Sequence, residues 1–138
     1  MRQINKIVIH CSDSPQGRGD DADTIHRWHK ERGFDGIGYH VVVLEDCEVQ
    51  RGRPDYWEGA HVKGHNHDSI GICMIGQGSY TNAQLDSAAA VTAAYLNEYP
   101  EAKVVGHCEL DSSKTCPMTD MDDFRLRVQT WVKHLQTS

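Results

Sequence analysis

Three side chains of metal-binding type stand where strands are expected to end. His10 closes the apolar run Ile7-Val8-Ile9, His107 follows the short run Lys103–Val105, and Cys116 lies in the next loop, just before Pro117. A catalytic zinc takes about three protein ligands, imidazole and thiolate among them, and keeps one position for water. Two imidazoles and one thiolate meet that count. Each also has an ordinary reading. A lone histidine at a strand end is more often a plain polar residue, and a lone cysteine more often behaves as a small hydrophobe. By the same standard Tyr39 is a packing aromatic at a strand start and Lys114 a solvated loop lysine. His65 and His67 form a second candidate pair, because residues two apart share one face of an extended segment. No third ligand is evident beside them other than His61, which reads better as a groove residue. His40 alternates away from Tyr39, and Cys11 and Cys108 alternate away from the histidines they follow, so none of these joins the first set. His26 and His29 read as surface residues of a helix, and Cys73 as a buried thiol.

The elements that must carry these groups alternate between strand and helix. Lys6–His10 reads as a buried strand, followed by a polar loop from Ser12 to Asp21. Asp23 is the expected cap of a short helix reaching Arg32 and stopped by Gly33. Tyr39–Leu44 reads as a strand, turning at Glu45–Glu48 into Val49–Arg51 as a hairpin. Residues 52–69 are loop-like, Ile70–Ile75 is a further buried strand, and Thr81 with Gln84 has capping-box spacing before a long helix to about Tyr99. Lys103–Val105 is a short strand that delivers His107. Asp120 and Asp123 open a last helix carrying Phe124, Leu126, Val128, Trp131 and Leu135. This alternation predicts an α/β fold: one domain, residues 1–138, with a mixed central sheet flanked by helices.

Bulk properties bound the function. The chain has 138 residues, 38% of them hydrophobic and 25% charged, with a formal net charge of −6. An acidic surface repels phosphates, so no nucleic-acid partner is expected. The longest apolar runs are strand-sized, which excludes membrane insertion through a helix of about 20 residues. Five cysteines without regular spacing do not read as a disulfide framework. The N-terminus runs straight into a strand without a signal-peptide core, so the expected place of synthesis is the cytoplasm.

The joint pattern resembles a known family, the zinc-dependent N-acetylmuramoyl-L-alanine amidases of the peptidoglycan-recognition superfamily, and within it the small phage lysis amidases. The resemblance rests on Ile7-Val8-Ile9-His10-Cys11-Ser12, Ile25-His26-Arg27-Trp28-His29-Lys30, Gly38-Tyr39-His40, the stretch His61 to Cys73, Gly106-His107-Cys108-Glu109 and Lys114-Thr115-Cys116-Pro117. These occur in family order from about Lys6 to Trp131. The resemblance implies one zinc ion per chain on His10, His107 and Cys116. It implies Tyr39 and Lys114 at the reacting centre, and His61 and Asn66 along the cleft for the peptide stem. The implied reaction is hydrolysis of the amide between N-acetylmuramic acid and L-alanine in peptidoglycan.

That chemistry is coherent with the residues. Zinc lowers the pKa of bound water to about 7 and polarises a carbonyl oxygen. Water so activated attacks the lactyl carbonyl. Lys114 brings positive charge toward the oxyanion, and Tyr39 relays a proton toward the departing nitrogen. Three other readings stay open: a non-hydrolytic peptidoglycan-binding module, a purely structural zinc, and a protein-interaction role for the acidic surface. The expected setting is lysis of the wall by a monomer released from the host cytoplasm, with recycling of soluble wall fragments as the alternative.

Overall fold

The computed structural model describes residues 2–137. Five strands form one mixed sheet: β1 (Lys6–Cys11), β2 (Val41–Val43), β3 (Val49–Arg51), β4 (Ser69–Met74) and β5 (Lys103–Gly106), in the order β3-β2-β4-β1-β5. The hairpin pair β2–β3 is antiparallel, and every other neighbour is parallel. Four helices accompany it: α1 (Ala22–Glu31), α2 (Asn82–Glu98), α3 (His107–Leu110) and α4 (Met121–Thr137).

The two faces of the sheet follow from strand alternation. Ile7 and Ile9 of β1, Val41 and Val43 of β2, and Ile70, Ile72 and Met74 of β4 pack with α2 and α4, where Phe124 and Val128 are almost fully buried. Burial of each such side chain stabilises the fold by about 1.5–3 kcal/mol. Val42, Leu44, Cys73 and Ile75 point the other way and pack with Ile25 of α1 and Ile37. His10 lies on this second face with Val8, so β1 sends Ile7 and Ile9 to the main core and its histidine to the side of α1.

The α1 cap is Asp21 rather than Asp23. Asp21 Oδ1 accepts from the Thr24 N–H at 2.9 Å, and the Thr24 hydroxyl accepts from the Asp21 N–H. The Asp23 side chain stays exposed, because the chain turns into the helix two residues earlier. The expected box at Thr81 is half formed. Thr81 Oγ1 accepts from the Gln84 N–H, but the buried Gln84 amide instead donates to the carbonyls of Ile75 and Val43, bridging α2 to β2 and to the residue just past β4. The strand expected from Tyr39 begins only at Val41, which leaves Tyr39 in the preceding segment.

Candidate active site

Parallel strands bring His10 and His107 together. Ile9 of β1 pairs with Gly106 of β5, so the residues that follow, His10 and His107, leave adjacent strand ends at the same level. Their ring centroids lie 4.5 Å apart. Open parallel sheets concentrate sites at these carboxyl ends. His107 is also the first residue of α3, a short helix that the sequence pattern did not signal.

The third imidazole comes from the loop between β3 and β4. His61 Nδ1 lies 2.7 Å from His10 Nε2, and His61 Nε2 lies 3.1 Å from Ser69 Oγ. These two contacts hold both nitrogens of the His61 ring and one nitrogen of the His10 ring, with His61 donating to one neighbour and accepting from the other. Gly71 makes this possible, since a Cβ there would sit 2.7 Å from the His61 ring. Asn66 closes the same loop, its Oδ1 accepting from the backbone N–H groups of His61 and Val62 at 3.0 and 2.9 Å.

Tyr39 joins from the segment before β2. Its ring centroid lies 5.0 Å from that of His10 and 6.3 Å from that of His61. Burial, followed by the nearby Cys73 and Cys116 thiols, raises the Tyr39 phenol well above its ordinary range. It is therefore a neutral hydroxyl at working pH. Burial likewise pushes His10 and His61 well below the usual imidazole value and also lowers His107, which Lys114 lowers further. All three rings are neutral near pH 7.

The segment after α3 carries Lys114 and Cys116. The Cys108 N–H donates to the Cys116 carbonyl at 2.8 Å, and the Tyr80 hydroxyl donates to the Pro117 carbonyl. The Cys116–Pro117 peptide is cis. The Cys116 sulfur lies 2.9 Å from the Cys11 sulfur, a contact that the alternation argument did not foresee. That contact, with Lys114 assisting, lowers the Cys116 thiol, while Cys11 is raised. Lys114 is exposed on this segment, its N–H bonded to the Asp111 carbonyl.

In donor chemistry His10, His107 and Cys116 fit zinc: two neutral imidazoles and an acidified thiol. In arrangement they form no closed set. Among the described residues, no group of three His, Cys, Asp or Glu side chains is arranged to hold a metal ion.

The remaining histidines divide clearly. His40 is a satisfied buried residue as expected, Nδ1 accepting from the Gly71 N–H and Nε2 lying 2.8 Å from the Trp57 carbonyl. His65 and His67 do not share a strand face, because residues 66–68 form a 3-10 turn, and His67 points to solvent. His29 is not a surface residue, and His26 is half-buried. His29 is buried, and both rings accept backbone N–H groups from the segment before Tyr39. Their spacing on α1 and the glycines at 36 and 38 were the available signal. A cavity of about 580 Å³ between α1 and β3, lined by His26, Ile37, Arg53 and Trp57 among others, lies apart from the His10 cluster.

Comparison with known proteins defines the class. The family model Amidase_2, N-acetylmuramoyl-L-alanine amidase, matches residues 1–119. The chain belongs to this family. The endolysin of Escherichia phage T7 is 33% identical over 123 residues, covering 83% of this chain and 81% of that protein. Among solved structures, the N-acetylmuramoyl-L-alanine amidase LysC from Clostridium intestinale URNW superposes with a TM-score of 0.84 at 26% identity, covering 93% of this chain and 87% of LysC. The Ph2119 endolysin from Thermus scotoductus MAT2119 bacteriophage Ph2119 gives 0.82 at 26% identity, covering 93% and 86%. The chain is an amidase that cleaves the peptidoglycan amide bond.

Proposed function

We propose that this amidase is a zinc-dependent lysis enzyme holding one zinc ion on His10, His107 and Cys116. The observation that carries the reading is the contact between His10 Nε2 and His61 Nδ1. It holds one ring nitrogen of His10, whose ring lies 4.5 Å from that of His107, centroid to centroid. A ligating histidine generally has its second ring nitrogen held in this way. When bound, zinc would acidify water and polarise the scissile carbonyl.

The protein's own groups supply the rest. Lys114 brings a cation toward the oxyanion that forms at the lactyl carbonyl, a contribution of about 3–4 kcal/mol for a well-placed donor. The neutral Tyr39 hydroxyl holds a proton in the cleft and passes it toward the departing L-alanine nitrogen. His61 and Asn66 shape the wall along which the peptide stem lies. In this reading residues 1–138 act as one catalytic domain, a monomer without nucleic-acid partners. It acts on the cell wall after release from the host cytoplasm. No described helix is long and apolar enough to cross a membrane.

The test is release of N-terminal alanine from purified peptidoglycan, with and without chelator and with zinc restored, alongside the metal content of the same samples. Activity that tracks a stoichiometry of one zinc supports the reading. Alanine release by protein shown to be metal-free would overturn it.

A further inference from the structure

The buried His29 takes part in no step described above, yet it meets the segment bearing Tyr39 in two ways. Its Nδ1 accepts from the Gly38 N–H at 2.8 Å, one peptide before Tyr39. Its ring packs against the Tyr39 ring at 5.4 Å and against Phe34 at 5.2 Å. One helical turn earlier, His26 Nδ1 accepts from the Ile37 N–H at 3.1 Å. Two successive peptide N–H groups of the segment that delivers Tyr39 are thus held by ring nitrogens of one helix. The Arg53 N–H secures the far side by donating to the Tyr39 carbonyl at 2.9 Å, and Arg53 Nε donates to the Ile37 carbonyl. The segment sits tightly: a Cβ on Gly36 would lie 2.5 Å from the His26 ring, and one on Gly38 would lie 2.0 Å from the Ala60 carbonyl oxygen.

We propose that His29, assisted by His26, is a positioning residue that sets Tyr39 against His10. Because Nδ1 accepts, the neutral His29 ring carries its proton on Nε2. The role is one of alignment: a buried N–H that loses its acceptor must find another, and the segment shifts to find it. A displacement of about 1 Å at a reacting group can cost on the order of 100-fold in rate. The inference rests on the reading of Tyr39 as a group acting in the cleft.

Four enzymes test it, each assayed for alanine release: wild type, His29→Phe, Tyr39→Phe and the double variant. His29→Phe should lower kcat about 10- to 100-fold with little change in KM. In the Tyr39→Phe background the same change should cost less than about twofold, because the two act through one group. His29→Asn, whose Oδ1 can stand in for Nδ1, should recover most of the loss. If Tyr39→Phe is impaired but the two losses multiply, the inference is overturned and the Tyr39 reading stands. If Tyr39→Phe is as active as wild type, the Tyr39 reading itself is overturned. Should His29→Phe fail to fold, nitrogen-15 NMR of the wild type reports directly. A through-hydrogen-bond coupling between the Gly38 amide and His29 Nδ1 is expected, and its absence overturns the proposal.

Discussion

The two walls of the cleft are built on different terms. On one wall His10, His61, Ser69, Asn66, His29 and the segment 36–39 are joined by side-chain hydrogen bonds, and most of these groups are buried or half-buried. On the other, residues 107–117 are held by backbone bonds and by side-chain bonds at exposed or half-buried positions, such as Glu109 with Arg125 and Asp111 with Ser113, with Lys114 exposed and Cys116 in contact with Cys11. A buried polar group left without a partner is costly, so the first wall is a connected network whose geometry is over-determined. Exposed groups carry no such demand, and the second wall is held mostly by ties at or near the surface. Changes to the first wall should therefore cost stability together with activity, and changes to the second should cost activity alone.

Cys116→Ala should show the largest effect. Losing a partner one bond removed from a ligand costs about 10- to 100-fold in metal affinity or activity, and losing a ligand costs more. Alanine release should fall by more than about 100-fold while the melting temperature of metal-free protein stays within a few degrees of wild type. Unfolding of that variant would break the contrast. Lys114→Ala should lower kcat by about 100-fold with thermal stability unchanged, as for a single oxyanion donor. Retained activity in this variant would remove Lys114 from the reaction.

Asn66→Ala tests the connected wall. It strips the acceptor from two backbone N–H groups, and should destabilise the fold by about 1–3 kcal/mol in urea titrations. An unchanged midpoint would show that the 61–66 loop is not held through Asn66. The smallest effect is the most distributed. His10, His29, His40, His61 and His107 all have lowered pKa values, each chiefly from burial. His29 is brought down to about 4 from an ordinary 6.5. The unfolded chain therefore binds protons that the fold refuses. Stability should rise with pH between about 4 and 6.5 and be lost as pH falls through that window. Melting curves of metal-free protein should show this, and a midpoint that is flat or rises on acidification would contradict it.

Much of the fold was legible along the chain. The β-branched runs gave the strands, the turn at 45–48 gave the hairpin, and the family motifs named His10, Tyr39, His107 and Cys116. Less legible were side chains whose partners lie far away in sequence. His29 read as a surface residue because its acceptor role depends on Gly38, nine positions on. Gln84 read as a cap because its two carbonyl partners lie in β2 and just past β4, far from it in sequence or on a separate element. Cys108 and Cys11 were set aside by strand alternation, yet α3 begins at His107, and Cys11 meets Cys116 across the end of the sheet.

The sequence by itself determined the class of the protein: an α/β amidase of known family, with donor residues at strand ends and no run long enough for a spanning helix. Those properties are local or additive, carried by periodicity, composition and motif order. Only the tertiary structure decided which imidazoles touch, that His61 holds a ring nitrogen of His10, and that α1 holds the segment bearing Tyr39. Register between parallel strands and the burial of polar groups are set by contacts between residues tens of positions apart, and these contacts exist only once the chain is folded.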